Sequence, residues 1–330
     1  MDLSTTYMGL HLPNPLVASA SPLSRELDTV KRLEDAGISA IVMYSLFEEE
    51  IRHAEQELAH HLEHSAHSHH EALGYFPDLG HFEGGPDGYL EQIRRIKQAV
   101  KVPVIASING VTPGGWTDQA RRMQEAGADG IELNVYTIPT HPDMDGAAVE
   151  QLYLDDLALV RKVVTVPVAV KLSPFFSSLP NMARRLEQAG ADALVLFNRF
   201  YQPDLDIENM EVVPEVRLSN SASLLMSLRW TAILRSVVTR ASLGLSTGVH
   251  TGRDVIKATM AGADACQLAA SLLIHGPEHV RGLLETLRTW MEEHEYESIR
   301  QMKGSMSLGK VADPSAFERA NYMKALRDYR

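Results

Sequence analysis

A lone lysine closes an apolar run, VPVAVK, ending at Lys171. A cation at the end of a buried strand is costly unless an anion or a hydrogen-bond acceptor meets it. Two chemistries call for such a group. One is a Schiff-base amine. The other is a positive charge beside the N1/O2 edge of a flavin, which gains negative charge on reduction. A third reading is a rim lysine whose stem is buried and whose head reaches water. Other short apolar runs also end in polar residues: Ser19-Ala20-Ser21, Ser107-Ile108-Asn109-Gly110, Asn134, Asn198 and Ser246-Thr247-Gly248. Together they read as the lining of a polar ligand site. Thr247-Gly248 and Ala269-Ala270-Ser271 are small enough for backbone N–H groups to approach a phosphate.

A second group of candidates is the histidines. Seven of the 14 fall in one stretch: His53, His60, His61, His64, His67, His69 and His70. His60 and His64 share one face of a helix, with Glu63 close by. No fixed metal-binding pattern accompanies them. They read as a solvated or interface face, and no metal is expected.

These residues need a scaffold that gathers strand ends at one place. Four phrases join a helix to a strand through Ala-Gly: AGISAIVM, AGADGIELN, AGADALVLF and AGADACQLA, starting at Ala36, Ala126, Ala189 and Ala261. Glycine ends a helix in the left-handed conformation without a Cβ penalty. The apolar runs that follow suit parallel strands covered on both faces. Two more strands start after Val-Pro. The strand candidates are Pro15–Ser19, Ala40–Tyr44, Val104–Ser107, Gly130–Val135, Val168–Lys171, Ala193–Phe197, Leu243–Thr247 and Ala265–Leu268, with helices between them. Strict alternation predicts one α/β domain over residues 1–330, a (β/α)8 TIM barrel with a small hairpin in LSTTYMGLHLPN before its first strand. The long connections Ser45–Asp87, Tyr136–Ala148 and Arg199–Ser221 all fall on the C-terminal face, where such barrels build their sites.

Composition narrows the partners. The net charge of −12 argues against nucleic acid and against an anionic membrane. One cysteine, Cys266, excludes a disulfide framework and reads as core. No apolar run approaches the roughly 20 residues of a membrane span, and no signal peptide is visible, which predicts a cytoplasmic protein.

The opening LSTTYMGLHLPNPLVASAS, then GADGIELNV, VPVAVKLSP, LSTGVHTGRDV, AGADACQLAASLLIHGP and the late YESIRQMKG together resemble the dihydroorotate dehydrogenases over nearly the whole chain. The resemblance implies an FMN-binding (β/α)8 barrel that oxidises dihydroorotate to orotate, with a small-molecule substrate and a homodimeric assembly. It does not name the electron acceptor. It places Lys171 at the flavin N1/O2 edge, and Asn134 and Asn198 against the flavin and the substrate ring. Ala18, Ser19, Ala20, Tyr44, Ser45 and Ser107 become flavin contacts, and Thr247, Gly248, Ala269 and Ala270 phosphate contacts. Thr137 falls at the position of the catalytic base.

The chain also departs from that pattern. Tyr136 stands in the substrate loop where the resemblance leads one to expect serine, Tyr44-Ser45 stands for Lys-Ser or Lys-Thr, and the asparagine expected after Pro139 is absent. These changes predict a flavin pocket kept and an orotate pocket altered. Another cyclic amide or carboxylate as substrate, a Schiff-base lyase using Lys171, and an FMN-binding protein without turnover are the alternative readings.

Overall fold

A computed structural model describes residues 1–53, 85–110, 117–199, 202–213, 215–318 and 320–328. The barrel strands are β1 Leu16–Ala18, β2 Ala40–Phe47, β3 Val104–Gly110, β4 Gly130–Val135, β5 Val168–Leu172, β6 Ala193–Leu196, β7 Ser242–Ser246 and β8 Ala265–Leu268. They are parallel and close into a barrel in the order β7-β8-β1-β2-β3-β4-β5-β6. The strands are followed in turn by α1 Leu27–Ala36, α2 Gly85–Ala99, α3 Thr117–Glu125, α4 Gly146–Arg161, α5 Leu179–Gln188, α6 Leu224–Leu234 and α7 Gly252–Ala261. After β8 come the short α8 Ala270–His275 and then α9 His279–Glu293. This is the predicted (β/α)8 architecture.

The Ala-Gly phrases work as their chemistry suggests. Gly37, Gly127, Gly190 and Gly262 have φ of 103°, 103°, 100° and 122°. The aspartate that follows in three of the phrases has a role that periodicity does not reveal. Asp129 Oδ2 accepts the N–H of Val104 at 2.7 Å, Asp192 Oδ2 that of Val168 at 2.8 Å, and Asp264 Oδ2 that of Leu243 at 2.8 Å. Each carboxylate thus ties the start of its own strand to the strand before it. Lys97, Arg161 and the pair Arg235/Lys303 supply the matching positive charge. In the first phrase Ser39 Oγ substitutes, accepting from Asn14 N.

The hairpin precedes β1 as predicted, with strands Thr5–Tyr7 and Leu10–Leu12. It plugs the bottom of the barrel. Tyr7, Met8 and Leu12 are buried among the inward-facing Val17, Ala40, Val42, Ile105, Ala169, Ala193, Val195 and Ala265. Many of these are alanines, which leaves room for a phenol. Gly244 completes that room, because a Cβ there would stand 2.9 Å from Tyr7 Oη. The rest of the core lies between the barrel and its helices, and Cys266 is fully buried there; burial pushes its thiol up to about 12.

Strands β2 and β3 run three residues beyond the expected ends. A second small hairpin, Asp204–Asp206 with Glu211–Val213, occupies the connection after β6, which the sequence presents as a loop. Of the histidine segment only His53 is among the described residues; His60, His61, His64, His67, His69 and His70 lie outside them. Among the described residues no three His, Cys, Asp or Glu groups could share a metal ion. Nor is any described helix long and apolar enough to cross a membrane.

Candidate active site

Strand alternation decides which side chains reach the mouth of the barrel. The inward positions climb from the hairpin layer to Ser19 after β1, Asn109 in β3, Asn134 in β4, Lys171 in β5, Ser246 in β7 and Gln267 in β8. Asn109 pairs in register with Asn134, and Asn134 with Lys171, so the three stand at one level on adjacent strands. Above them lies a cavity of about 560 Å³, a size that suits a cofactor or small ligand. Its lining includes Ser19, Ala20, Ser45, Asn134, Tyr136, Lys171, Asn198, Thr247, Gly248, Ala269 and Ala270 from the sequence reading. Asn109, Arg199, Ser219, Ser246 and Gln267 join them.

Lys171 is buried, at 6% exposure, and its Nζ lies 3.3 Å from Glu132 Oε1. Glu132 is fully buried two residues before Asn134 on the same face of β4. Gln267 Nε2 donates to the other Glu132 oxygen at 2.8 Å and to Tyr7 Oη at 3.4 Å, while Ser19 Oγ donates to Gln267 Oε1 at 3.1 Å. Burial, with Glu132 adding to it, raises the Tyr7 phenol well above its ordinary value, so it stays neutral. Sequence reasoning singled out Lys171 but missed Glu132 and Gln267. The signal was present: an acid in the middle of GIELNV and an amide in ACQLAA must each find a partner inside.

The asparagines are also fixed. Asn198 Nδ2 donates to Asn134 Oδ1 at 2.6 Å, and the Asn198 backbone N–H donates to Leu172 O at 2.8 Å.

Four predicted contacts lie off the cavity lining. Ala18 packs into the core outside the barrel, as its backbone role allows. Ser107 is fully buried and pairs with Ser45 through their hydroxyls at 2.8 Å. Tyr44 is turned away by a bulge: Val42 pairs with Ile105 and Ser45 with Ser107, so three residues of β2 span two of β3. Ser45 therefore takes the inward place that simple alternation gives to Tyr44. The Tyr44 ring packs on Tyr89 at 5.0 Å, with the Arg25 guanidinium 4.8 Å from its centroid. Thr137 follows Tyr136, and its Oγ1 is buried with no hydrogen-bond partner among the described residues. Tyr136 lines the cavity beside it.

The phosphate end is built by the β7 and β8 loops. Thr247 and Gly248 have φ of 76° and 85°. A Cβ on Gly248 would meet Leu224 N at 2.3 Å, so only glycine lets the loop lie against the start of α6. Ser219 Oγ accepts from Gly248 N at 3.4 Å and stands 3.2 Å from His250 Nε2. Burial holds the His250 imidazole below its ordinary value, offset in part by Asp254. Thr251 and Asp254 cap α7 reciprocally, each side chain accepting the other's backbone N–H. Burial works against the Asp254 carboxyl, but donors from Ser221, His250 and Thr251 hold it below its usual range. Ser271, in the first turn of α8, has a fully buried hydroxyl without a partner among the described residues.

A family model described as dihydroorotate dehydrogenase matches residues 2–291. The catalytic subunit of dihydroorotate dehydrogenase B (NAD(+)) from Thermoplasma acidophilum is 28% identical over 315 residues, covering 92% of this chain and 98% of that protein. The chloroplastic dihydropyrimidine dehydrogenase (NADP(+)) of Arabidopsis thaliana is 23% identical over 329 residues, covering 92% of this chain and 76% of that protein. The match runs through the strands that carry Asn134, Lys171 and Gln267, through Asn198 just after β6 and through both loops at the phosphate end, and on it the chain belongs to the dihydroorotate dehydrogenase family.

Proposed function

We propose that this protein is an FMN-dependent oxidoreductase acting on a carbon–carbon bond next to a carbonyl group, in the manner of dihydroorotate dehydrogenase. The observation that carries the reading is Lys171: a buried ammonium that lines the cavity and is held from below by Glu132.

The residues present fit the cofactor. Thr247, Gly248, Ala269 and Ala270 leave backbone N–H groups approachable for a phosphate, and the orphaned Ser271 hydroxyl lies in the turn that follows them. Ser19, Ala20 and Ser45 would hold the ring system, with Asn134 and Asn198 shared between cofactor and substrate. When bound, FMN supplies a two-electron acceptor for hydride. Lys171 provides the positive charge that a reduced flavin ring calls for. Thr137 is the proposed proton carrier; a threonine hydroxyl is a poor base by itself and would work as one link in a relay.

Glu132 bears against the Schiff-base alternative. Its carboxylate is the counter-ion of an ammonium, whereas imine formation needs a neutral amine. The location proposed with this reading is the cytoplasm.

Dihydroorotate is the default substrate. Tyr136 in the cavity lining favours a second reading, a different cyclic amide or carboxylate, because its ring adds bulk at the substrate loop. The test is direct. The purified protein is expected to be yellow and to release FMN on denaturation, and anaerobic addition of dihydroorotate is expected to bleach the flavin. A colourless protein, or lysine trapping by borohydride with a carbonyl substrate, would overturn the flavin assignment. A yellow protein that dihydroorotate does not reduce would favour the other substrate.

A further inference from the structure

Of the 14 histidines, seven lie outside the clustered segment, and three of these meet behind the phosphate end. His250 stands two residues before α7, His275 ends α8 and His279 begins α9. The His279 Nε2–H donates to the His250 carbonyl at 2.8 Å, and the His275 and His279 rings lie 4.7 Å apart. No histidine is among the described residues that line the cavity. Ser219 does line it, and Ser219 Oγ is 3.2 Å from His250 Nε2. His250 is thus one hydroxyl removed from the ligand space.

What that hydroxyl can do depends on the imidazole. A serine oxygen has one proton to give and two lone pairs to fill. The Gly248 N–H fills one of them at 3.4 Å. A neutral imidazole with its proton on Nδ1 takes the Ser219 proton at Nε2. An imidazolium has protons on both nitrogens, so its Nε2–H fills the second lone pair and the Ser219 proton is set free for an acceptor in the cavity. Protonation also puts a full positive charge behind the Thr247-Gly248 loop, whose N–H groups offer only partial charge. The charged groups that face His250 are Asp254 of α7, His275 of α8 and His279 of α9. Asp254 Oδ2 accepts the His250 N–H at 3.1 Å and favours the imidazolium, whereas the two histidines and burial oppose it. The balance leaves this ring below its ordinary value, so by itself it is mostly neutral at neutral pH. A phosphate anion at the loops supplies the opposite charge that draws a proton onto it.

We propose that His250 is a positioning residue for an anionic phosphate: on taking a proton it turns the Ser219 hydroxyl toward the phosphate, so that phosphate binding and proton uptake go together. This rests on the oxidoreductase reading in taking the phosphate to be that of FMN. Affinity linked in this way rises as pH falls through the imidazole range and is absent above it.

Dilution of the purified holoprotein at about pH 6 and about pH 8.5, either side of that range, tests this, with free FMN read by its fluorescence. The phosphate's own titration, at about pH 6, is common to every variant and cancels in ratios to wild type. His250→Gln keeps a hydrogen-bonding amide but takes no proton. It is expected to hold FMN about fivefold more weakly than wild type at the lower pH and equally well at the higher. Ser219→Ala approaches the same contact from its other side, and its deficit is also expected to be larger at the lower pH. With riboflavin, which has no phosphate, reconstituted in place of FMN, wild type and His250→Gln are expected to agree at both pH values. A ratio of His250→Gln to wild type that is the same at both pH values overturns the proposal. So does a Ser219→Ala deficit that ignores pH, or a riboflavin ratio that changes as the FMN ratio does. A purified protein without flavin sinks the oxidoreductase reading alone; calorimetric titration of inorganic phosphate into the same variants at the same two pH values then decides the histidine assignment by the same ratios.

Discussion

Lys171 and Glu132 meet inside the barrel at 3.3 Å, at 8% and 1% side-chain exposure. Removing one partner of such a pair leaves an uncompensated buried charge and costs about 3–5 kcal/mol. Lys171→Ala is therefore expected to lose both stability and flavin reduction. Adding Glu132→Gln should return most of the stability without returning the reduction. Urea denaturation and anaerobic flavin reduction separate the two effects; recovery of reduction in the double variant would place the lysine's role in packing alone. At this scale the sequence was informative where a residue broke a pattern, as Lys171 does at the end of VPVAVK. It was less so for Glu132 and Gln267, whose partners come from strands far apart in the chain and are joined only by barrel closure. Thr137 shows another limit. Its position in the substrate loop is legible, but the burial of its hydroxyl depends on which way the chain turns after β4.

The β2 bulge carries the clearest lesson among the elements. Eight strands, their order and the plugging hairpin were legible, because Ala-Gly helix ends and apolar runs are local signals. A bulge is not local: it exists only in the pairing of β2 with β3, and AIVMYSLF reads equally well without it. Its effect is to exchange Tyr44 for Ser45 at the cavity. Ser45→Ala is thus expected to weaken flavin binding severalfold. Tyr44→Leu should leave flavin content unchanged while costing about 1–2 kcal/mol of stability through lost contacts with Tyr89 and Arg25. Flavin occupancy and thermal denaturation of the two variants check this; flavin loss in Tyr44→Leu would mean that the tyrosine reaches the cofactor after all.

For the whole molecule, stability should depend on pH through Asp156 of α4. This residue is buried, neither carboxyl oxygen has a partner among the described residues, and burial, with Asp155 and Glu48 adding to it, pushes it up from 3.8 to about 7. The folded protein holds this proton more tightly than the unfolded chain does. The stability linked to it is complete below about pH 4, is lost as pH rises toward 7, and stays lost above. Asp156→Asn removes the titration, so its gain over wild type should be negligible at pH 4 and largest at pH 8, with a ceiling of about 4 kcal/mol. Equal gains at both pH values in denaturant titrations would contradict the assignment. The second hairpin leaves Leu205, Ile207, Met210 and Val212 exposed, and a second copy of the chain is the expected cover. Light scattering should then give twice the 36.5 kDa of one chain, and a single-chain mass would refute the dimer. The plugging hairpin has a temporal consequence. Thr5 Oγ1 donates to Asp264 O, Met8 N donates to Ser242 Oγ, and Tyr7 fits against Gly244 and Gln267. Residues made before any strand of the barrel thus find their seats only in the last third of the chain. During synthesis the hairpin must wait, apolar side chains uncovered, until β7 and β8 have emerged. Closure of the floor and assembly of the Lys171 network through Gln267 then become one late event, and a nascent chain halted before Gln267 has neither.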